Sequence, residues 1–490
     1  MVKLPAEAEE YATAFERITT HGGGTAPRFR ANFWSDWRRM LPAGCPITSL
    51  DGCDFSRLLV AAEKSRVKLA AQRKKAAEKV SGKATEKGKV IVAIVDGVPQ
   101  PISGGAVVEA GSVFVGRGGE HPLAGRIKRR IGPSDVTLNL GKGAKVPPGD
   151  WAAIVHDPHV DWLARWRDPL LDIVKYVRLS AAAGSEQNTT RVKFERARTF
   201  YTTRLHIAKK HIAADIRLLN EPKKRQIATC AWLLMRTALR VGSPSESRVV
   251  GLTTMTTDHV ALTADGQGLA FDFLGKDSVP YRRSLTIDDP VVLGNLKALL
   301  LPRPKRAKPA FPLVTSADLN AYLGGFMKGL TAKDIRTAMA SAQFEATIDR
   351  VYGQKSRNPK MAALAVLIAN IRIAFLCNHR KMTATDAASL GDDNELAERI
   401  DALEARAAKQ KVSSIHIKAI EKDAKELVKQ FGLALATSRA NYIDPRIATA
   451  FSARAGLPLR LALPGAALAA KFSWATSDAS FRWGQQHTVA

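Results

Sequence analysis

Acidic residues are scarce in this sequence. Its 490 residues hold 46 Asp and Glu against 74 Lys and Arg, a formal net charge of +28. That excess is larger than solubility requires and points to a polyanionic partner, of which nucleic acid is the commonest; a basic protein without such a partner is the plain alternative. Cysteine is scarcer still. Cys45, Cys53, Cys230 and Cys377 include no C-x-x-C pair, which excludes a disulfide framework and a structural zinc site and suits a reducing compartment. His156 and His159 form an H-x-x-H with no Cys or carboxylate constellation around it, so they read as loop histidines rather than metal ligands. Long hydrophobic runs are also missing. The longest, Met361–Cys377, is broken by Asn370 and Arg372 and falls short of the roughly 20 residues of a membrane span, so it reads as a buried helix. The first residues, MVKLPAEAEEYATAFERI, have the pattern of a charged amphipathic helix and not of a signal peptide.

Apolar residues make up 46% and charged residues 24%, the balance of a soluble globular protein with a real core. The length suits roughly three domains of about 150 residues. In NFWSDWRRM (32–40), Trp34 and Trp37 fit one helix face and read as packing residues. Residues 61–89 are rich in Ala, Lys and Arg, with Lys64, Lys68, Lys75 and Lys79 at helical spacing; they read as a basic arm near a phosphate backbone or a solvated helix face. VIVAIVDGV, AVVEAGSVFVG and SDVTLNL are short strand-type runs, and between them GRGGEHPLAGRIKRRI (116–131) joins a Gly-rich loop to Lys128, Arg129 and Arg130. From about Trp162 to Arg380 helical periods are expected, interrupted by a hairpin over 259–287. Leu396, Ile400, Leu403 and Ala407, then Ile417, Ile420, Ala424 and Leu427, predict two helices folded back as an antiparallel coiled-coil hairpin, with Ser413-Ser414 suited to a helix cap; one long helix is the alternative. The tail from Phe431 reads as a small helical domain.

That tail carries a lone tyrosine, Tyr442, in ATSRANYIDPR. A phenol can pack, donate a hydrogen bond or attack phosphorus. Attack on a phosphodiester requires an in-line phenol that loses a proton of ordinary pKa about 10. It also requires fixed cationic donors for the non-bridging oxygens, for which arginine's planar fork is suited, and an acid for the leaving alkoxide. Four candidates stand in suitable contexts: Arg240 after an apolar helix in RTALRVGSP, Lys276 at the turn FLGKDS, Arg336 in GLTAKDIRTAMAS, and His379 at the end of AFLCNHRKM. Each alone also reads as a surface cation.

Taken in order, ALRVG, FDFLGKDS, GLTAKDIRTAMAS, FLCNHRK and TSRANYIDPR resemble the active-site segments of eukaryotic-type DNA topoisomerase I, the type IB family. NFWSDWRR, CDFS, GRGGEHPLAGRIKRRI, AKVPPGDW, VDWLARW and IVKYVRL are similar to the DNA-clamping half of the same enzymes, so the likeness covers essentially the whole chain. The resemblance implies a catalytic pentad of Arg240, Lys276, Arg336, His379 and Tyr442. In it Tyr442 forms a 3′-phosphotyrosine and releases a 5′-hydroxyl, Arg240, Arg336 and His379 hold the non-bridging oxygens, and Lys276 protonates the leaving oxygen. It further implies no cofactor: neither ATP nor a metal is required, and Mg2+ is at most stimulatory.

The same likeness implies DNA contacts by Arg117, Asp277 and Asn441 around the cleaved base pair, where the family meets camptothecin-type inhibitors, and backbone contacts by Lys128, Arg129, Lys175, Tyr176, Lys193 and Lys333. The fold it implies is α+β: a bilobed DNA clamp with a mixed α/β cap lobe (1–180, its basic arm at about 55–90), a mainly helical catalytic lobe of the tyrosine recombinase/type IB topoisomerase fold (181–382), a coiled-coil linker (383–431) and a C-terminal domain carrying Tyr442 (432–490). The partner implied is double-stranded DNA, gripped through its backbone with little sequence preference by a monomer, with no membrane involved. The compartment implied is the nucleus for a cellular protein, or the virion or viral replication site for a virus-encoded one. The chain departs from its relatives in lacking their long charged N-terminal extension and in a shorter linker. The segment between Gly242 and Gly251, one lip of the clamp, is abbreviated, and Leu123 replaces the opposing lip's lysine, so the salt bridge that closes the clamp is not carried over. A tyrosine site-specific recombinase and a non-catalytic architectural DNA-binding protein are the rival readings.

Overall fold

In the computed structural model of the chain, the residues described are 2–20, 24, 26–65, 67, 92–95, 98–102, 109–116, 121–180, 184–242, 250–276, 279–301, 306–353, 358–381, 393–409, 413–475 and 478–485. Arg117 and Asp277 lie outside them, as does most of the 61–89 segment read as a basic arm. Helix and strand are both present, as an α+β protein requires, and the chain divides into two compact units, Met1–Glu186 and Gln187–Ala490.

The first unit opens with helices Ala6–Thr20 and Pro27–Trp37, whose inner faces are aromatic. Phe15 stacks on Phe33 with ring centroids 4.2 Å apart, and Trp37, fully buried, donates its indole N–H to the Ala8 carbonyl at 2.8 Å. Trp34 packs against the same cluster, so the NFWSDWRRM aromatics are packing residues. The Gly-rich loop is tied to this core: the Asn32 amide donates to the carbonyls of Pro122 and Ala124. Gly125, with φ +89°, lies so close to Phe29 that a Cβ would sit 1.9 Å from its carbonyl oxygen, so no other residue fits there.

A four-stranded sheet follows, ordered Ala153–Val155, Val136–Asn139, Trp162–Arg167, Val174–Arg178, with only the first pair parallel. This corrects the expectation that helical periods begin near Trp162. WLARWR alternates buried and outward residues (Trp162, Ala164 and Trp166 inward), a period of two that places it in a strand. The described helices of this region begin at Gly184.

The second unit is mainly helical around one three-stranded antiparallel sheet, Val260–Leu262, Gly268–Leu274 and Pro280–Thr286, which is the hairpin region expected over 259–287. Its central helix, Pro359–Leu376, is long and apolar enough to cross a membrane by length and composition, yet most of it is buried against neighbouring helices. The two interruptions have separate explanations. Asn370, fully buried, donates to the Val366 carbonyl one turn back, and Arg372 reaches out to Glu404 at 2.6 Å.

Glu404 belongs to the first of two helices, Asp393–Ala407 and Ser414–Gln430. Ser413 caps the second, its hydroxyl accepting from the His416 amide. Arg406 pairs with Asp423, and Arg399 with Gln430, so later residues of one helix meet earlier residues of the other and the pair is antiparallel. Their apolar seam does not close on itself alone. Leu396, Ile400, Leu403, Ile417, Ile420 and Leu427 share one core with Met361, Leu364, Ile368 and Ile371 of the central helix. Asp393 anchors the base through Arg380, buried with it, and through the backbone N–H of Arg282 at 3.0 Å. The heptad-like pattern therefore serves packing onto the central helix, and onto Val351 of the helix Ala332–Tyr352, as well as between the pair.

Candidate active site

Chain segments far apart in sequence meet around Tyr442. The helix Ala332–Tyr352 starts at a capping box in which the Thr331 hydroxyl and the Asp334 carboxylate satisfy each other's backbone N–H. One turn further on, Arg336 points into the interior and is 4% exposed. Its Nε donates to the carbonyl of Ala238 at 2.6 Å, and its Nη1 donates to the phenolic oxygen of Tyr442 at 2.5 Å. The guanidinium carbon also stands 4.5 Å from the centre of the Tyr442 ring. Ala238 presents that carbonyl because it ends the helix Pro222–Thr237 in the left-handed region, φ 50°. Arg240 follows two residues on, its carbonyl accepting from Leu252.

His379 comes from the far end of the central helix. Asn378, at φ 52°, turns the chain there, a conformation that Asn tolerates better than most residues. A short antiparallel bridge then joins this segment to the start of the Tyr442 helix. The Ala434 N–H donates to the His379 carbonyl and the Lys381 N–H to the Gly432 carbonyl, both at 2.8 Å. The ring lies 5.2 Å from that of Tyr442, centre to centre, and its Nδ1 shares a 2.8 Å hydrogen bond with the hydroxyl of Ser438. Burial, with the charges of Arg336 and Arg240 added to it, pushes His379 down to about 3, so the imidazole is neutral near pH 7. Lys276 sits exposed on the turn closed by the Gly275 N–H donating to the Val279 carbonyl at 2.8 Å.

All five residues line two adjoining hollows that share Arg240, Lys276, Arg336 and Thr437 as walls; one ends on His379 and the other, of about 410 Å³, on Tyr442. Arg240, Lys276 and Arg336 therefore line the wider hollow together with the phenol, in a space large enough for a phosphate, and His379 closes the adjoining one. Tyr442 is held from behind as well. Ser341, on the same helix as Arg336, donates to its carbonyl at 3.1 Å and accepts from the Asp444 N–H at 3.0 Å.

The residues read as DNA contacts fall into different settings. Lys333 is exposed and lines the wider hollow, as does Asn441. Lys193, half-buried, donates to the Asn441 carbonyl at 2.7 Å, and Lys471 donates to the preceding carbonyl, that of Ala440, at 2.8 Å. In the first unit Tyr176 is exposed beneath the Arg178 guanidinium, and Arg129 pairs with Asp135 while remaining half-exposed. Lys128 and Lys175 are committed inward. Both ammonium groups rest on Glu109 and on Asp168, with Lys128 and Lys175 lying 2.8 and 2.9 Å from the fully buried Asp168 carboxylate. Burial opposes the charges, but the hydrogen bonds outweigh it: Lys175 is raised and Asp168 lowered from their ordinary values.

Sequence reasoning did not find Ser438, Ser341, Asn378 or Lys471. Asn378 had a local signal, an Asn just past an apolar helix; the others are visible only through long-range contact. Among the described residues no group of three or more His, Cys, Asp or Glu is arranged to hold a metal ion.

Comparison with known proteins extends along nearly the whole chain. Residues 1–179 match the family "Eukaryotic DNA topoisomerase I, DNA binding fragment", 182–414 the "Eukaryotic DNA topoisomerase I, catalytic core", and 409–484 the "C-terminal topoisomerase domain". Over 98% of its length the chain is 31% identical to DNA topoisomerase 1 beta of Arabidopsis thaliana, and over 97% it is 33% identical to DNA topoisomerase 1 alpha of the same plant. It spans only 56% and 55% of those two proteins. It is 30% identical to the mitochondrial DNA topoisomerase I of Rattus norvegicus, where the match covers 98% of this chain and 86% of the relative.

Proposed function

Because the chain belongs to the eukaryotic DNA topoisomerase I family, we propose that it relaxes positively and negatively supercoiled DNA by transient cleavage of one strand. The observation that carries the reading is the guanidinium of Arg336 hydrogen-bonded to the Tyr442 oxygen at 2.5 Å, in a cleft walled by Arg240 and Lys276 and ending on His379. The Tyr442 phenol gives up its proton to solvent as its oxygen, held by the Arg336 donor, attacks phosphorus; an O–P bond forms to the 3′ phosphate, and the bond from phosphorus to the 5′ oxygen breaks. Arg240, Arg336 and His379 bind the non-bridging oxygens as charge grows on them. Lys276, on its exposed turn, delivers the proton that the departing 5′ oxygen needs. The cut strand swivels about its partner, and the 5′ hydroxyl then attacks the phosphotyrosine in reverse. One phosphodiester is exchanged for another of similar energy, so the cycle requires neither ATP nor a metal, with Mg2+ at most stimulatory.

In this reading the two units are the lobes of a clamp on double-stranded DNA, acting as a monomer through backbone contacts. The antiparallel helix pair is the linker that retards rotation, and Arg117, Asp277 and Asn441 are the contacts to the cleaved base pair that a camptothecin-type inhibitor would exploit. The compartment proposed is the nucleus or, for a virus-encoded chain, the virion or replication site, although a rat relative is named as mitochondrial. The test is relaxation of plasmids of either supercoil sign in EDTA without ATP. Complete relaxation without a target sequence is expected. Failure on both substrates sinks the proposal, and relaxation that depends on a specific site and on four protomers favours a recombinase.

Lys193 gives this reading a pH signature. Desolvation, and then the neighbouring ammonium groups of Lys333 and Lys471, push it down to about 7. A DNA phosphate favours its charged form, so the pKa rises in the complex and binding takes up a proton. Affinity is then full below pH 7 and declines as pH rises above it, by at most about tenfold per pH unit until the bound-state pKa is reached. Calorimetric binding in buffers of different ionisation enthalpy should show proton uptake near pH 7.5, and Lys193→Met should abolish it. Equal uptake by both proteins would remove Lys193 from the interface.

A further inference from the structure

Ser438 and His379 form a buried pair whose proton arrangement can be deduced. Ser438 is fully buried and His379 4% exposed. The hydroxyl has one hydrogen-bonding partner among the described residues, His379 Nδ1 at 2.8 Å, while His379 Nε2 is buried with none. The groups facing the ring are the Arg336 and Arg240 guanidiniums and the Tyr442 phenol, and the ring is neutral near pH 7. A neutral imidazole carries its proton on one nitrogen or the other. If Nδ1 held it, Ser438 would accept, and both the serine proton and the Nε2 lone pair would lack partners. If Ser438 donates, the only unpaired group is an Nε2–H beside the cleft. Leaving fewer buried polar groups unpaired favours the second arrangement.

We infer that Ser438 is a positioning residue: by donating its hydroxyl proton to His379 Nδ1 it holds the ring as the tautomer whose Nε2–H is ready to donate to a phosphate oxygen. This rests on the proposal that the cleft takes a phosphodiester. The opposite tautomer would turn a lone pair toward the anion's oxygens and repel them. Ser438 also lies one helical turn before the nucleophile and accepts the Tyr442 N–H at its own carbonyl at 2.9 Å, so one short helix sets both the phenol and the histidine proton.

The test combines spectroscopy with a double-mutant cycle. Nitrogen-15 NMR of the wild-type chain at pH 7 without DNA, with the His379 signals assigned by their loss in His379→Gln, should show Nε2 protonated and Nδ1 bare. Ser438→Ala should blur or invert that pattern and slow single-turnover cleavage about tenfold, the size of one hydrogen bond's bias. Its DNA affinity should stay unchanged. In the His379→Gln background, where the amide donates without help, Ser438→Ala should cost nothing more. A wild-type ring protonated on Nδ1, or a serine effect of equal size in both backgrounds, overturns the inference. If Ser438→Ala fails to fold, the wild-type spectrum still decides. Loss of the topoisomerase reading itself would appear separately, as a wild-type chain that relaxes nothing while its tautomer can still be read.

Discussion

Tyr442→Phe will bind duplex DNA as tightly as the parent chain and form no covalent adduct with it. The substitution removes one oxygen. Its ring keeps its place, 4% exposed, 4.5 Å from the Arg336 guanidinium and 5.2 Å from the His379 ring, and the backbone remains held by Ser341. What is lost is the hydrogen bond from Arg336 Nη1, a change of about 1–3 kcal/mol in local stability that leaves the outward-facing cations untouched. Because phosphate contacts set the salt slope of DNA affinity, that slope should match the parent's. Detergent trapping on a labelled duplex makes the check: the parent yields a protein–DNA band and the variant none. A trapped band from Tyr442→Phe would move the nucleophile elsewhere, with the Thr437 hydroxyl, which lines the same cleft, the first group to examine.

The parts of this protein legible in its sequence are those governed by local pattern. The two helices Asp393–Ala407 and Ser414–Gln430 and the cap at Ser413 follow from apolar spacing and a hydroxyl in the right place, and the start of the Arg336 helix follows from Thr331 and Asp334. The segment Trp162–Arg167, expected to be helical, is a strand: its apolar-rich run does not by itself separate a buried helix from a strand, and the outward alternation of Arg165 and Arg167 becomes evident only once the neighbouring strands are placed. Charge was legible in sum but not in disposition. Lys128 and Lys175 count toward the net +28, yet Glu109 and Asp168, one nineteen residues upstream of Lys128 and the other forty downstream, take up both. In the candidate site the motifs locate five side chains, but what fixes their geometry is non-local. The bridge between 379–381 and 432–434, the Ser341 hydroxyl behind Tyr442 and the Ala238 carbonyl under Arg336 each join segments that no spacing rule connects.

Arg336→Ala should slow cleavage by about 10²–10³-fold, the usual cost of removing a preorganised donor from a charge-stabilising site, while duplex affinity changes little because one phosphate contact among many is lost. The size of the effect follows from how thoroughly the side chain is fixed. Its Nε is bound to Ala238 and its Nη1 lies on the Tyr442 oxygen, so the fork is aimed before DNA arrives and nothing must reorganise during the reaction. Truncation also leaves the buried Ala238 carbonyl without this donor, a further cost of about 1–3 kcal/mol to the folded state that thermal unfolding should register. Arg336→Lys separates charge from geometry. An ammonium on a flexible stem cannot hold the Ala238 carbonyl and reach phosphate and phenol at once, whereas the guanidinium does so through separate N–H groups of one plane. The lysine variant should therefore cleave closer to the alanine variant than to the parent in a single-turnover assay at saturating protein. Recovery to within about tenfold of the parent rate would show that positive charge alone suffices, and that the two-point fixation seen here contributes little to the reaction.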